Sequence, residues 1–250
     1  MQAVLLAAGR GTRMGALTAT CPKPLLTVAE RPIIEHIIAG FADAGVREFV
    51  IVTGYRGAQI EAALADGARL GVHIVYRQQE HALGTARALL LARDVIAPVP
   101  FALSWGDILV QPDLYPTLVA RFHARPCDAL LALNDTDDPR AGAAVYVERD
   151  RRVTRIVEKP PPGTSTTRWN NAGVFVFDPI IFDYAARVQP SPRGEYELPQ
   201  AIAAMVSDGR PVFSVPIDGY WSDVGTPEDL HRARRDFPAR NASAADSVLV

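Results

Sequence analysis

At 250 residues with 48% apolar side chains, the chain is long enough to bury a sizeable core, as one large α/β domain or two small ones. A formal net charge of -2 argues against a nucleic-acid coat or a polybasic membrane surface. The two cysteines, Cys21 and Cys127, lie far apart and form neither a disulfide framework nor a C-x-x-C metal site, and no apolar run approaches the ~20 residues of a membrane span. No basic, apolar leader pattern precedes the first strand, so the expectation is a cytoplasmic protein without nucleic-acid or membrane partners.

Residues 3–6 form an apolar run that suits a buried strand. The run enters a small-residue turn, Ala7-Ala8-Gly9-Arg10-Gly11-Thr12-Arg13, and Pro22-Lys23-Pro24 closes the segment. Side chains this small let backbone N–H groups approach phosphate oxygens, while Arg13 and Lys23 add positive charge. The spacing of a Walker A loop is absent, and Gly9, Gly11 and Gly15 make only a loose G-x-G-x-x-x-G, a weak signal by itself. On this segment alone, an ordinary strand-to-turn connection with surface charge competes with phosphate binding.

Residues 32–44 read as a helix, with Ile33, Ile34, Ile37, Ile38 and Phe41 on one stripe and Gly45 at its end. A strand at 49–53, a helix over 59–70 stopped by Gly71 and a strand at 72–76 follow. This alternation predicts a parallel sheet covered on both faces, with right-handed crossovers and ligands at the carboxyl ends of the strands. Gln79 then stands five residues before Gly84, and Thr85 follows in a short helix through 91. A glutamine amide both donates and accepts and can read a base edge, but a polar loop capping a helix is the plainer reading of these residues alone. A strand at 101–105 ends in Gly106-Asp107. A carboxylate at that end of a central strand points into the crevice and can hold Mg²⁺ together with phosphate oxygens, although an Asp that merely starts a loop is common.

A helix over 112–124 and a buried strand at 129–133 come next. The acidic stretch 135–139 reads as a solvated turn. Gly142 begins a strand at 143–147, Glu148-Arg149-Asp150 turns, and 153–157 returns, a hairpin that departs from the strand–helix rhythm. Val157-Glu158-Lys159-Pro160 ends it. Asn171-Ala172-Gly173 precedes a strand at 174–177, and a helix covers 180–188. Gly194-Glu195-Tyr196-Glu197-Leu198 opens a helix running to 207, followed by a strand at 212–216. Trp221-Ser222-Asp223-Val224-Gly225-Thr226-Pro227 leads into a helix over 228–236. Residues 237–250 form a short Ala- and Ser-rich tail with no hexapeptide period, so no appended β-helix is expected, and the sequon at Asn241 carries no weight without a secretory signal.

Five of these segments, in order, resemble the motifs of the sugar-phosphate nucleotidyltransferases (nucleoside-diphosphate-sugar pyrophosphorylases), in their compact stand-alone form. They are Gly9-Arg10-Gly11-Thr12-Arg13-Met14 with Pro22-Lys23-Pro24-Leu25, Gln79 with Gly84, Gly106-Asp107, Val157-Glu158-Lys159-Pro160 and Trp221 to Pro227. The resemblance covers about residues 1–236. It implies a three-layer α/β/α Rossmann-like (GT-A-like) fold with a mainly parallel central sheet and a small antiparallel insertion. It implies one domain over 1–236, with a nucleotide-binding half to about residue 110 and a sugar-phosphate-binding half beyond it.

It further implies Mg²⁺-dependent joining of a nucleoside triphosphate to a sugar 1-phosphate, with pyrophosphate released. Leu6, Ala8, Gly9, Gly11, Thr12 and Thr85 would bind the nucleotide, and Gln79 with Gly84 its base. Arg13 and Lys23 would steady the triphosphate, and Asp107 and Asp223 would hold the metal. Glu158 would accept sugar hydroxyls and Lys159 would neutralise the sugar phosphate, with Gly142, Asn171 and Gly173 lining the acceptor pocket. Glu197 receives no role, because Pro199-Gln200 departs from the family pattern. UTP or dTTP is favoured, while the sugar, a GTP-using mannose or heptose enzyme, a cytidylyltransferase on phosphocholine, a non-catalytic nucleotide sensor and a homo-oligomer stay open.

Overall fold

The computed structural model describes residues 1–138 and 142–238. Pro139 of the acidic stretch and the tail from residue 239, with the Asn241 sequon, lie outside the described residues.

Strand β1 (Gln2–Ala7) sends successive side chains to opposite faces, so that Ala3, Leu5 and Ala7 join one hydrophobic core and Val4 and Leu6 another. Both faces are covered, which is why the run is continuously apolar. The short helix α1 (Leu17–Thr20) and the two-residue strands β2 (Thr27–Val28) and β3 (Arg31–Pro32) lead into α2 (Ile33–Asp43), whose isoleucine stripe is fully buried. Then β4 (Glu48–Thr53), α3 (Gly57–Leu64), β5 (His73–Gln78), α4 (Thr85–Leu90) and β6 (Phe101–Trp105) continue the alternation. The helix expected over 59–70 is shorter. Ala65 and Gly67 have positive φ, which ends α3 at Leu64 and leaves residues 68–70 as a separate 3₁₀ turn.

The remaining elements are β7 (Ile108–Val110), α5 (Leu114–Ala124), β8 (Ala129–Asp135), β9 (Ala143–Val147), β10 (Val153–Glu158), β11 (Trp169–Phe177), α6 (Ile181–Arg187), α7 (Leu198–Ser207), β12 (Val212–Pro216), β13 (Trp221–Asp223) and α8 (Pro227–Asp236). Among the described residues, nine strands form one mixed sheet in the order β10-β9-β11-β6-β1-β4-β5, with β8 against β11 and β12 against β8. Strands β6, β1, β4 and β5 are parallel, as are β8 and β12, while β9 and β10 make the expected hairpin. Helices α2, α5 and α8 cover one face, and α4, α6 and α7 the other. The three-layer α/β/α expectation holds.

Two departures position the site. Strand β11 starts at Trp169 rather than at 174 and runs antiparallel to β8, β9 and β6, with an irregularity between Asn171 and Phe175. Gly173 sits inside it at φ 80°, where a Cβ would lie 2.4 Å from the Trp105 ring, so only glycine permits the bulge and the close packing. The second departure is the pair β7 and β13, strands too short to leave a periodic signal. Their antiparallel pairing sets Asp223 opposite Ile108, beside Asp107.

Candidate active site

A cleft of about 510 Å³ opens at the carboxyl ends of β1, β5 and β6, a volume suited to a nucleotide-sized ligand. Its floor is the loop after β1. Leu6, Ala8, Gly9, Gly11, Thr12 and Arg13 all line it. The loop is drawn tight by Thr18, whose hydroxyl donates to Gly11 O at 3.0 Å, and Gly11 itself adopts a left-handed conformation, φ 62°, against Lys23 and Thr18.

Lys23 does not line the open cleft. It is buried at the base, 8% exposed, where its ammonium contacts Asp107 and lies 3.6 Å from Asp223. Burial alone would lower its pKa, but the two carboxylates outweigh that and the net shift is upward, so Lys23 stays charged. Arg13, largely exposed, reaches Asp223 at 3.7 Å and packs over the Gly225 backbone. Burial, and next the charge of Asp107, raise the Asp223 carboxyl to about 6. One face of Asp223 is open, yet its Oδ1 is enclosed and has no hydrogen-bond partner among the described residues.

That oxygen, 3.6 Å from the Lys23 ammonium yet without a hydrogen bond, and the convergence of two hard carboxylates fit a divalent cation such as Mg²⁺. Among the described residues no cluster of three or more His, Cys, Asp and Glu side chains could hold an ion by itself. Asp107 and Asp223 would therefore hold it jointly with ligand phosphates.

At the β5 end of the cleft, Gln79 follows β5 and its Nε2 donates to Gly84 O at 3.2 Å; Gly84 and Thr85 line the same wall. The opposite wall carries Gly142, Glu158 and Lys159. Lys159 has φ 44°, a left-handed conformation uncommon outside glycine, and its N–H donates to Gly142 O at 2.9 Å, which fixes the turn after β10. Burial, aided by the charge of Glu197, pushes the Glu158 carboxyl up to about 7.

Asn171 and Gly173 stand behind this wall rather than on it. Asn171 Oδ1 accepts from Gly173 N–H at 3.0 Å, and Gly173 supports Trp105, which does line the cleft. The structure also adds residues that the sequence reading left out. Arg193, Glu195 and Glu197 line the cleft beside Glu158, with Arg193 contacting Glu197 and lying 3.7 Å from Glu158. The available signal was an arginine directly before an acidic Gly-Glu-x-Glu run. Arg10 and Trp105 are likewise on the cleft.

A glycine-rich loop at the end of a parallel sheet, with paired cations and carboxylates around a cleft of this size, is the arrangement of an α/β protein suited to phosphate-bearing ligands. The chain belongs to the nucleotidyl transferase family, whose model matches residues 2–240. It is 35% identical to the UTP--glucose-1-phosphate uridylyltransferase AglF of Haloferax volcanii, over 98% of this chain and 100% of that protein. It is 34% identical to the low-salt glycan biosynthesis nucleotidyltransferase Agl11 of the same organism and 33% identical to a glucose-1-phosphate thymidylyltransferase of Streptomyces griseus, in each case over 94% of this chain. The chain spans only 65% of the length of those two relatives. A Bacillus anthracis structure assigned as a glucose-1-phosphate thymidylyltransferase, in complex with a sucrose, superposes with a TM-score of 0.86 at 28% identity, covering 96% of this chain and 98% of that one.

Proposed function

We propose that the chain transfers a nucleotidyl group from a nucleoside triphosphate, UTP or dTTP, to a sugar 1-phosphate. The observation that carries the reading is the buried Lys23 ammonium set between Asp107 and Asp223 at the floor of the cleft, with Lys159, Arg193 and Glu158 on the facing wall. Cationic groups stand where two anionic reactants would have to meet.

In the proposed reaction, an oxygen of the sugar 1-phosphate attacks the α-phosphorus. The new P–O bond forms as the bond between the α-phosphorus and its bridging oxygen to the β-phosphate breaks, and pyrophosphate departs with that electron pair. The nucleophile is already an anion, so no general base is needed. Positioning and charge neutralisation are the main tasks left to the protein. Arg13, Lys23 and the backbone N–H groups of the opening loop steady the triphosphate and the departing pyrophosphate. Lys159 holds the attacking phosphate, and Glu158 accepts from sugar hydroxyls. Asp107 and Asp223 are the residues that would hold Mg²⁺, which when bound reduces the repulsion between the two phosphates. Gln79 spends one N–H on Gly84 O, which leaves its amide oxygen for a ring N–H; uracil and thymine carry one at N3 and cytosine does not.

The test is pyrophosphate release with Mg²⁺, crossing five nucleoside triphosphates with hexose, aminosugar and heptose 1-phosphates and with phosphocholine. Release that needs both UTP or dTTP and one sugar 1-phosphate is expected. Release only from CTP with phosphocholine would replace the sugar reading, and nucleotide binding without release from any pair would favour a sensor.

A further inference from the structure

The base-side loop and the segment bearing Arg193, Glu195 and Glu197 lie more than a hundred positions apart in sequence but are joined directly. Tyr196 N–H donates to Leu83 O at 2.8 Å, and Ala86 N–H donates to Tyr196 O at 2.8 Å. Leu198 N–H, the first of α7, donates to Thr85 Oγ1 at 2.8 Å. The Arg87 guanidinium lies 4.3 Å from the centre of the Tyr196 ring. Gly84 permits this approach. It has φ 99°, and a Cβ there would stand 2.6 Å from both the N and the O of Tyr196.

In the function proposed above, the two partners of these contacts would face different ligands. Gln79, Gly84 and Thr85 line the base side of the cleft, whereas Arg193, Glu195 and Glu197 line the acceptor side. Thr85 also satisfies an N–H in the first turn of α7, a group that no intrahelical carbonyl can reach. Glu197, the residue before that turn, is the carboxylate held by Arg193. The conformation of the acceptor wall is therefore tied to the base loop through Thr85 and the backbone of Tyr196.

Resting on the function proposed above, we propose that Thr85 and the Tyr196 backbone form a clasp that couples the two binding sites. A nucleotide that stills the Gln79–Gly84 loop also stills residues 193–198, and the acceptor then binds to a wall whose ordering is already complete. Such coupling needs no displacement, only the loss of freedom that both ligands would otherwise impose separately, and it is reciprocal. Thr85 is then a positioning residue for the acceptor as well as a wall of the base site.

Hydrogen–deuterium exchange on the full chain tests this, with UTP or dTTP and Mg²⁺ as the probe and no sugar phosphate present. Exchange should slow both in peptides covering 5–13 and in peptides covering 193–205, the latter by at least about fivefold, the low end of ordinary site-to-site coupling. In Thr85→Val, with nucleotide raised until the slowing at 5–13 matches that of the unmodified chain, the slowing at 193–205 should disappear, and Thr85→Ser should restore it. Thr85→Ala replaces the valine variant if circular dichroism shows the latter misfolded. Slowing at 5–13 without slowing at 193–205 in the unmodified chain overturns the clasp, as does an unchanged response in Thr85→Val or Thr85→Ala. No slowing at 5–13 with either nucleotide instead removes the nucleotide site, and the clasp's coupling role falls with it.

Discussion

Lys23 is buried, Asp107 and Asp223 are half-buried, and the Lys23 ammonium offsets both carboxylates, which repel each other. Removing Lys23 leaves two carboxylates unopposed, and removing either Asp takes away a carboxylate beside the place where the triphosphate would be held. Lys23→Ala, Asp107→Ala and Asp223→Ala should each lower turnover by roughly 10²–10³-fold with the far-UV spectrum preserved. Near-normal pyrophosphate release from any one would remove that residue from the mechanism. Glu158 supports a different kind of prediction. Its carboxyl is raised to about 7 by burial and by Glu197, so the folded chain keeps a proton that the unfolded chain has already lost. Its contribution to stability is thus present in acid and lost as pH rises from about 4.5 through 7, an effect of up to about 3 kcal/mol. Melting curves between pH 5 and 8 should show a flatter pH dependence for Glu158→Gln than for the unmodified chain; parallel curves would contradict the assignment. Glu158 and Lys159 were readable in sequence because they form a contiguous motif. Arg193 was not: Glu195 and Glu197 stand beside it in sequence, but Glu158, which puts all three on one wall, reaches it only through the packing of α7 against β10.

Among the elements, α8 is the clearest test of local design. Thr226 Oγ1 accepts from Asp229 N–H while Asp229 Oδ2 accepts from Thr226 N–H, a reciprocal cap just after Asp223. Thr226→Ala should cost about 1 kcal/mol. In calorimetry that corresponds to a fall in Tm of roughly 2–4 °C for a chain of this size. Elements with strong periodicity were legible from sequence: the α2 stripe and the apolar runs of β1 and β4 lie where the pattern put them. The misses have physical causes. The apolar pattern continues past Leu64, but left-handed backbone at Ala65 ends α3, and a strand such as β13 is held by its single partner rather than by any alternation of its own. Strand β11 was half legible, because the polar Trp169–Asn171 stretch that begins it does not resemble a buried strand until β8 and β9 enclose it.

Across the whole molecule, the two candidate metal carboxylates come from distant parts of the chain, and no larger acidic or histidine cluster accompanies them among the described residues. A metal bound there would depend on the triphosphate for its remaining ligands, so EDTA should abolish turnover while shifting Tm by no more than about 1 °C. A large loss of stability on chelation would indicate a structural ion instead. The path of β11 bears on how the protein is made. One edge of β6 is closed only by a strand that begins at Trp169, and Asp223 arrives later still. Until that strand is made, the segment through β6 therefore presents an open margin that a neighbouring chain could add to. The chain must be translated through β11 before that margin is sealed and through β13 before the cleft is complete, so a product terminated before them would be prone to clump and would carry no finished cleft.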